Sequence, residues 1–271
     1  MFNGVSNAHL YTAARIETSV ALGDQTPISK TGTAFFVQNT KGVLCLITNR
    51  HLLDFGYGDS TGKFRGATLT NVRVETFSPQ GRDRRERPDV RIAFDFLLEL
   101  SQIKFAAEYH EDVAAIIDPK YLLLPGENKS IDYYLLASEL ADDSWIESKL
   151  SVCDFVAYPG FPTWHDKSEM RPILRTGTIA SDPRSNFSDI STSKGRRIAY
   201  EAFSSGGSSG SPVYATEKGF KGGGGIEVTG HRESRLIGIN AGHLSGDFGA
   251  HSGVSYFIKS SAILDLIESE S

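Results

Sequence analysis

The sequence predicts an all-β protein, built as a barrel or a sandwich, with one short helix near its C-terminus. Short runs rich in Val, Ile, Phe and Tyr recur along the chain, and Gly, Pro, Asn, Asp and Ser separate them. This alternation is typical of strands joined by turns. The predicted strands are 33–38, 43–48, 72–77, 112–117, 152–158, 197–203, 212–214, 236–240 and 253–258.

Helical periodicity is confined to the last part of the chain. Ile263, Leu264, Leu266 and Ile267 share one face of a helix, and Ser260 or Ser261 can cap its start. The sequence therefore predicts a short amphipathic helix there.

The chain is large enough for two packed lobes. It has 271 residues, of which 39% are hydrophobic, so it can bury a core in one domain or in two lobes of roughly 100 residues each. Residues 124–149 contain a Pro-Gly pair, many acids and few β-branched residues, and they separate two groups of strands. We predict an N-terminal lobe over 1–125 and a C-terminal lobe over 126–271.

Charge and composition argue against several classes of function. Lys and Arg number 28 against 33 Asp and Glu, giving a net charge of −5, which favours neither nucleic-acid nor membrane binding. The basic cluster at 82–87 is interrupted by acids and is expected to be a solvated loop. The glycine-rich segment 218–225 lacks the phosphate-binding pattern and is expected to be a hairpin loop.

Location follows from what the sequence lacks. No segment approaches the roughly 18 apolar residues of a membrane span, and the first residues do not resemble a secretory signal. Cys45 and Cys153 form no disulfide framework. The expected location is the cytoplasm.

One segment is dense in glycine and serine and runs directly into a predicted strand. It reads Gly-Gly-Ser-Ser-Gly-Ser-Pro-Val over 206–213. Glycines allow positive φ angles and can bring backbone N–H groups close to a reacting carbonyl. A flexible linker is the alternative interpretation, although linkers seldom continue into an apolar strand.

The stretch Gly-Ser-Ser-Gly-Ser-Pro over 207–212 resembles the nucleophile motif of trypsin-like serine peptidases. The resemblance implies that Ser209 is the nucleophile. It also implies an oxyanion hole formed by the backbone N–H groups of Gly207 and Ser209.

Two upstream segments resemble the other parts of such a site. Residues 43–53 end in Thr-Asn-Arg-His, similar to the strand that leads to the catalytic histidine in bacterial glutamyl endopeptidases and HtrA proteases, which implies His51. Residues 110–117, His-Glu-Asp-Val-Ala-Ala-Ile-Ile, resemble the segment in which the triad aspartate precedes a strand, which implies Asp112. Glu111 is adjacent, but side chains alternate along an extended chain, so only one of the two acids can face His51.

This resemblance implies both a fold and an activity. The fold is a chymotrypsin-like pair of six-stranded antiparallel Greek-key β-barrels. The activity is that of a serine endopeptidase working through an acyl-enzyme, with His51 as base and Asp112 holding its tautomer. The partner is a protein or peptide substrate, and no cofactor is needed. No metal site is expected, because His9, His165, His231 and His251 lack ligand spacing.

The same register implies where a substrate would lie. Phe203 falls at the floor of the primary specificity pocket, with His243 and Gly253 on its walls, and the substrate backbone runs along Asn240, Ala241 and Gly242. Without an acid at 203, a Lys or Arg preference is not expected. A small or apolar side chain is the first expectation, and His243 could instead favour an acidic or polar one. Phe203 could also be a core aromatic.

Two rival functions remain open from sequence alone. Gly206 to Gly210 also fits the Gly-x-Ser-x-Gly elbow of α/β-hydrolases, with Ser208 as nucleophile and with Asp247 and His251 following, but that elbow requires a helix after it. The other rival is a catalytically silent double barrel that serves as a protein-binding module.

Overall fold

The computed structural model describes residues 6–23, 27–78, 88, 90–97, 102–123, 125–189, 195–219, 230–245 and 251–269. The basic cluster at 82–87, the glycine run at 222–225 and Asp247 lie outside these residues. Lys218 and Arg232, which lie on either side of that glycine run, form an antiparallel bridge with two backbone hydrogen bonds of 2.9 Å.

Strands dominate the described residues and form two sheets. The N-terminal sheet has nine strands in the spatial order β6-β7-β3-β2-β1-β4-β5-β8, and β9 pairs in parallel with β2. Its strands are β1 Ala13–Ala21, β2 Ile28–Gln38, β3 Leu44–Thr48, β4 Thr68–Ser78, β5 Val90–Leu97, β6 Ile103–Phe105, β7 Ala114–Ile117, β8 Lys120–Tyr121 and β9 Leu135–Leu136.

The C-terminal sheet closes on itself as a six-stranded barrel. Its order is β10-β11-β12-β15-β14-β13, and β13 pairs back to β10. All six pairings are antiparallel. The strands are β10 Phe155–Gly160, β11 Ile173–Ile179, β12 Arg197–Glu201, β13 Pro212–Ala215, β14 Arg235–Ser245 and β15 His251–Lys259.

Four short α-helices accompany the sheets in the described part of the chain: α1 Asn7–Tyr11, α2 Arg50–Leu53, α3 Asp143–Lys149 and α4 Ser260–Glu268; one 3₁₀ turn, Ala137–Glu139, precedes α3. The predicted C-terminal helix is α4. Its N-cap is Lys259 rather than a serine. Ser260 instead donates its hydroxyl to the Ala141 carbonyl, and Ser261 donates to Asp143 Oδ1 at 2.9 Å, so both serines tie the helix to the chain around α3.

One apolar core joins the two sheets and α4. Phe35 and Ile47 of the N-terminal sheet share a buried cluster with Ile239 and Ile258 of the barrel and with Ile263 of α4. Burial of this shared cluster stabilises the packing of the sheets against each other. Strands β1–β8 precede residue 125 and strands β10–β15 follow it. Strand β9 also follows residue 125 but pairs with the N-terminal sheet. The lobe boundary at residue 125 stays a prediction.

The prediction of an all-β double barrel with a short C-terminal helix is confirmed. The second lobe is a closed barrel, whereas the described strands of the first form a half-barrel. No helix among the described residues is long and apolar enough to cross a membrane.

Candidate active site

His51 lies at a strand-to-helix transition. β3 ends at Thr48, Asn49 is the N-cap in extended conformation, and α2 begins at Arg50. The next two residues, Leu52 and Leu53, are buried in the core of the N-terminal sheet. This packing fixes α2, while the His51 side chain stays partly exposed.

Asp112 holds His51 with both carboxylate oxygens. Oδ2 lies 2.6 Å from His51 Nδ1, and Oδ1 accepts the His51 backbone N–H at 3.0 Å. Asn49 Nδ2 donates to the Asp112 carbonyl at 2.7 Å. An ionised carboxylate can only accept hydrogen bonds, so the proton of this contact lies on His51 Nδ1. In the neutral ring, Nε2 is therefore free to accept a proton.

The neighbouring acid points elsewhere. Glu111 accepts two hydrogen bonds from the Arg196 guanidinium, at 2.8 and 2.9 Å, and a third from the Arg196 backbone N–H at 3.1 Å. The hydrogen bond to Glu111 is the main reason that the pKa of Arg196 is raised. The two acids thus point apart, Asp112 to His51 and Glu111 to Arg196. They lie in a turn before β7, in which Val113 N–H donates to the Glu111 carbonyl at 2.7 Å, rather than in the extended segment that was expected.

Ser209 lies in the second of two consecutive tight turns, 205–208 and 208–211, in the segment that connects β12 to β13. Ser208 N–H donates to the Ser205 carbonyl at 2.9 Å, and Ser211 N–H donates to the Ser208 carbonyl at 3.1 Å. The third residue of each turn is a glycine with positive φ, +85° at Gly207 and +87° at Gly210. A positive φ at this position is the mark of a type II turn, so glycine is required at both places.

The N–H groups of Gly207 and Ser209 donate to no acceptor among the described residues, and the same holds for those of Ser205 and Gly206 at the start of the first turn. The Ser209 side chain is half-buried. Ser208, by contrast, is only 1% exposed. Strand β13 follows at once, so the helix required by the hydrolase elbow is absent and that alternative is wrong.

Asn240 holds the nucleophile loop, residues 205–211, by hydrogen bonds to its backbone. It is 1% exposed. Its Nδ2 donates to the Ser208 carbonyl at 2.8 Å, its Oδ1 accepts from Tyr200 at 2.8 Å, and its backbone carbonyl accepts from Gly210 N–H at 3.0 Å. The expectation that Asn240 contacts the substrate is therefore corrected: it is a buried scaffold residue with its polar groups already engaged.

Beyond Asn240 the β14 strand has an open edge. Its pairing with β13 ends at Ile239, while its pairing with β15 continues through Gly242 and His243. Within the described ranges, no strand pairs with the other edge of residues 241–245. Ala241 is buried, Gly242 is half-buried and His243 is exposed.

Phe203 is an exposed aromatic, 62% accessible, and not a core residue. Its ring lies 5.0 Å from that of His251, which stacks on His243 at 4.3 Å. A Cβ atom on Gly253 would lie 3.6 Å from Phe203 Cζ. The structure thus brings Phe203, His243 and Gly253 together as expected, and it adds His251.

His251 was not predicted to lie beside Phe203 and His243, because its position relative to them depends on the register of the β14–β15 pairing. Two irregularities shift the β14–β15 register, between Asn240 and Gly242 and between His243 and Ser245. Burial lowers the pKa of His251, and electrostatic interactions with His243 and Arg175 lower it further. His251 Nδ1 accepts from Gly253 N–H at 2.9 Å, so the neutral ring carries its proton on Nε2.

No group of three or more His, Cys, Asp or Glu residues in the described part of the chain is placed to hold a metal ion. Cys45 is buried, Cys153 is exposed, and both are free thiols. Burial raises the pKa of Cys45 to about 12, so this cysteine is an inert core thiol.

Comparisons with known proteins identify the family and the fold of the chain. The sequence model of the trypsin-like peptidase domain family matches residues 32–220. No curated protein sequence matches the chain. Among solved structures, the HtrA-type protease AlgW with tripeptide has a TM-score of 0.52 and 15% identity over 98% of this chain and 63% of that one. The chain thus spans 63% of the length of that protease.

A second solved structure, the thermostable serine protease AL20 from an extremophilic microorganism, has a TM-score of 0.51 and 13% identity, covering 96% of this chain and 97% of that one. At such identities these likenesses establish the chymotrypsin-like double-barrel fold. The family match covers well over half of the 271 residues. The chain therefore belongs to the trypsin-like peptidase domain family.

Proposed function

We propose that this peptidase-family chain is a serine endopeptidase that hydrolyses peptide bonds in protein or peptide substrates through an acyl-enzyme. The observation that carries the proposal is the pairing of His51 with Asp112, in which one buried carboxylate binds both the ring and the backbone N–H of the histidine. This pairing fixes the tautomer that a general base needs.

The proposed reaction begins at Ser209. As its Oγ attacks the substrate carbonyl, the hydroxyl proton passes to His51 Nε2, and Asp112 stabilises the imidazolium that forms. His51 then donates that proton to the leaving amine, the C–N bond breaks, and an ester joins the acyl group to Ser209. Water then attacks the ester and gives a proton to His51. The ester C–O bond breaks, His51 returns the proton to Ser209 Oγ, and the carboxylic acid product leaves. No hydrogen bond joins Ser209 Oγ to His51 among the described contacts, and such bonds often tighten only with substrate.

The proposed oxyanion hole consists of the N–H groups of Gly207 and Ser209. Support comes from the type II turn at 205–208, because the positive φ of Gly207 sets the orientation of the 206–207 peptide that carries the Gly207 N–H. Backbone donors held in this way need no reorganisation when negative charge develops on the substrate oxygen.

Gly207→Ala is expected to lower kcat by about 100-fold, because a Cβ atom would collide with the Phe161 carbonyl oxygen and the φ of +85° disfavours alanine. Gly206→Ala is the matched control, since its Cβ would meet only Thr163 Cγ2 at 3.4 Å. Steady-state kinetics on both folded variants checks this. Equal losses in the two variants would contradict an oxyanion role for Gly207.

The substrate backbone is proposed to pair with the open edge of β14 at Ala241, Gly242 and His243, as an added strand. The preferred side chain would lie against the exposed ring of Phe203, between His243 and Gly253. This surface presents an aromatic ring and the neutral ring of His251 rather than a carboxylate, which supports an apolar side chain over Lys or Arg.

A fluorophosphonate labelling experiment tests the proposed function without knowledge of the substrate. Ser209 Oγ should form a bond to phosphorus as fluoride leaves, and mass spectrometry should locate the adduct at Ser209. Ser209→Ala should abolish the label. An intact, folded protein that takes no label would support the alternative of a silent binding module.

A further inference from the structure

We propose that Thr33, in the N-terminal sheet, is a positioning residue for the oxyanion loop, the two turns over 205–211 of the C-terminal barrel. It holds this loop in the conformation that presents the Gly207 and Ser209 N–H groups to the substrate. The inference rests on the proposed function, because it assigns a role to a residue that supports Gly207 and Ser209. Thr33 lies in β2 and is 0% exposed. Nothing in its local sequence distinguishes it from a strand residue of the core.

Thr33 hydrogen-bonds to the carbonyls of both residues whose N–H groups would form the hole. Its hydroxyl donates to the Gly207 carbonyl at 2.8 Å, across 174 positions of sequence. Its backbone N–H donates to the Ser209 carbonyl at 2.8 Å. One residue of the first lobe therefore holds the loop on either side of Ser208.

The hydroxyl of Thr33 is used twice. While it donates to Gly207, it accepts the Phe161 backbone N–H at 3.0 Å. The carbonyl of Phe161 lies against Gly207, where a Cβ atom would collide with it. Thr33 thus fixes both Gly207 and the segment that packs against Gly207.

These contacts act on backbone orientation through peptide planarity. Because a peptide group is planar, fixing a carbonyl oxygen fixes the N–H of the following residue. The bond to the Gly207 carbonyl therefore orients Ser208 N–H toward Ser205, which closes the first turn, and limits rotation about Gly207 ψ. Glycine alone would permit other orientations of its N–H.

Thr33 is also linked to the strand that carries the base. Its carbonyl accepts from Thr48 Oγ1 at 2.8 Å, and Thr48 is the last residue of β3, three positions before His51. The same residue therefore couples the position of the nucleophile loop to the position of His51.

Valine has the shape of threonine but can neither donate to Gly207 nor accept from Phe161. We expect Thr33→Val to slow fluorophosphonate labelling of Ser209 by about 10- to 100-fold, because the phosphoryl oxygen occupies the oxyanion hole. Thr33→Ser keeps the hydroxyl and should restore labelling to within a few-fold of the wild type. With a peptide substrate, kcat should fall in Thr33→Val while KM changes little.

Thr216→Val is the matched control. Thr216 is also buried, at 7% exposure, and its hydroxyl donates a hydrogen bond of 3.2 Å to the Phe155 carbonyl, away from both His51 and the oxyanion loop. This variant loses a buried hydroxyl at a comparable site and should label at close to the wild-type rate. Circular dichroism should show that each variant is folded.

Hydrogen–deuterium exchange of residues 204–211 gives a readout that needs no activity. Ser208 and Gly210 N–H, which are hydrogen-bonded in the wild type, should exchange about tenfold faster in Thr33→Val and at wild-type rates in Thr33→Ser and Thr216→Val. A wild type that takes no label would refute the proposed function, while the exchange data would still decide the role of Thr33.

The inference is overturned if Thr33→Val matches Thr216→Val in labelling and exchange, or if Thr33→Ser fails to restore labelling. If Thr33→Val does not fold, Thr33→Ala removes the same hydroxyl with a smaller side chain and should give the same changes. Failure of both to fold would show that Thr33 maintains the fold rather than the loop.

Discussion

Replacing Ser209 with alanine is expected to lower kcat by about 10⁴- to 10⁶-fold, the range that holds for loss of the nucleophile in a serine triad. The hydroxyl is the only group in the proposed mechanism that becomes covalently bonded to the substrate. Binding to the β14 edge and to the oxyanion donors remains in the variant, so KM should change far less than kcat.

Ser208→Ala is the matched control for this result. Ser208 Oγ is buried and has no hydrogen-bond partner among the described residues, so its removal costs no contact. We expect a loss of about tenfold or less, since the backbone between the two oxyanion donors is unchanged. Steady-state kinetics on both variants decides the nucleophile. Near wild-type rates in both would assign the activity to another site or to a contaminant.

The second large effect is expected at Asp112. Asp112→Asn should lower kcat by about 10⁴-fold, because an asparagine cannot accept from both the His51 ring and the His51 backbone N–H. If its NH₂ group faces Nδ1, the imidazole proton moves to Nε2, and the ring can no longer accept the proton of Ser209. The measurement is kcat for a peptide substrate, with binding compared through KM.

Glu111→Gln controls for the loss of a neighbouring carboxylate. Glu111 contacts Arg196 and lies one position from Asp112, but it does not contact His51. The glutamine should keep kcat within about threefold of wild type while it lowers the free energy of unfolding by about 1 to 3 kcal/mol, since a charge-assisted hydrogen-bond pair is lost. Chemical denaturation measures this loss. A collapse of kcat in Glu111→Gln would contradict the assignment of Asp112.

Much of the fold could be predicted because its strands are short apolar runs between turn residues. Strand β1 was not predicted, although its buried and half-buried residues alternate as they do in a strand. The run Ala-Ala-Arg-Ile-Glu-Thr-Ser-Val-Ala contains few aromatic or β-branched residues, so β propensity is weak there. Its pairing with β2 and β4 forms the centre of the N-terminal sheet, and that long-range contact outweighs local propensity.

The residues of the candidate site that lie in short local motifs could be predicted from the sequence. His51, Asp112 and Ser209 each lie in a short segment that resembles a known pattern, and the structure places His51 against Asp112. The supporting residues have no such local pattern. Thr33 depends on a partner 174 positions away, His251 depends on an irregular hairpin register, and Asn240 is buried by the loop that it supports.

The division of the site between two lobes has a consequence for a chain during synthesis. His51 and Asp112 emerge from the ribosome well before Ser209, and Ser209 comes before α4, whose Ile263 completes the shared core with Phe35. Until that core forms, Thr33 cannot hold the Gly207 carbonyl. Under the proposed function, a half-made chain carries a base without a nucleophile to activate. Nascent copies of the protein would therefore be unable to digest one another before α4 has been made and packed into the shared core.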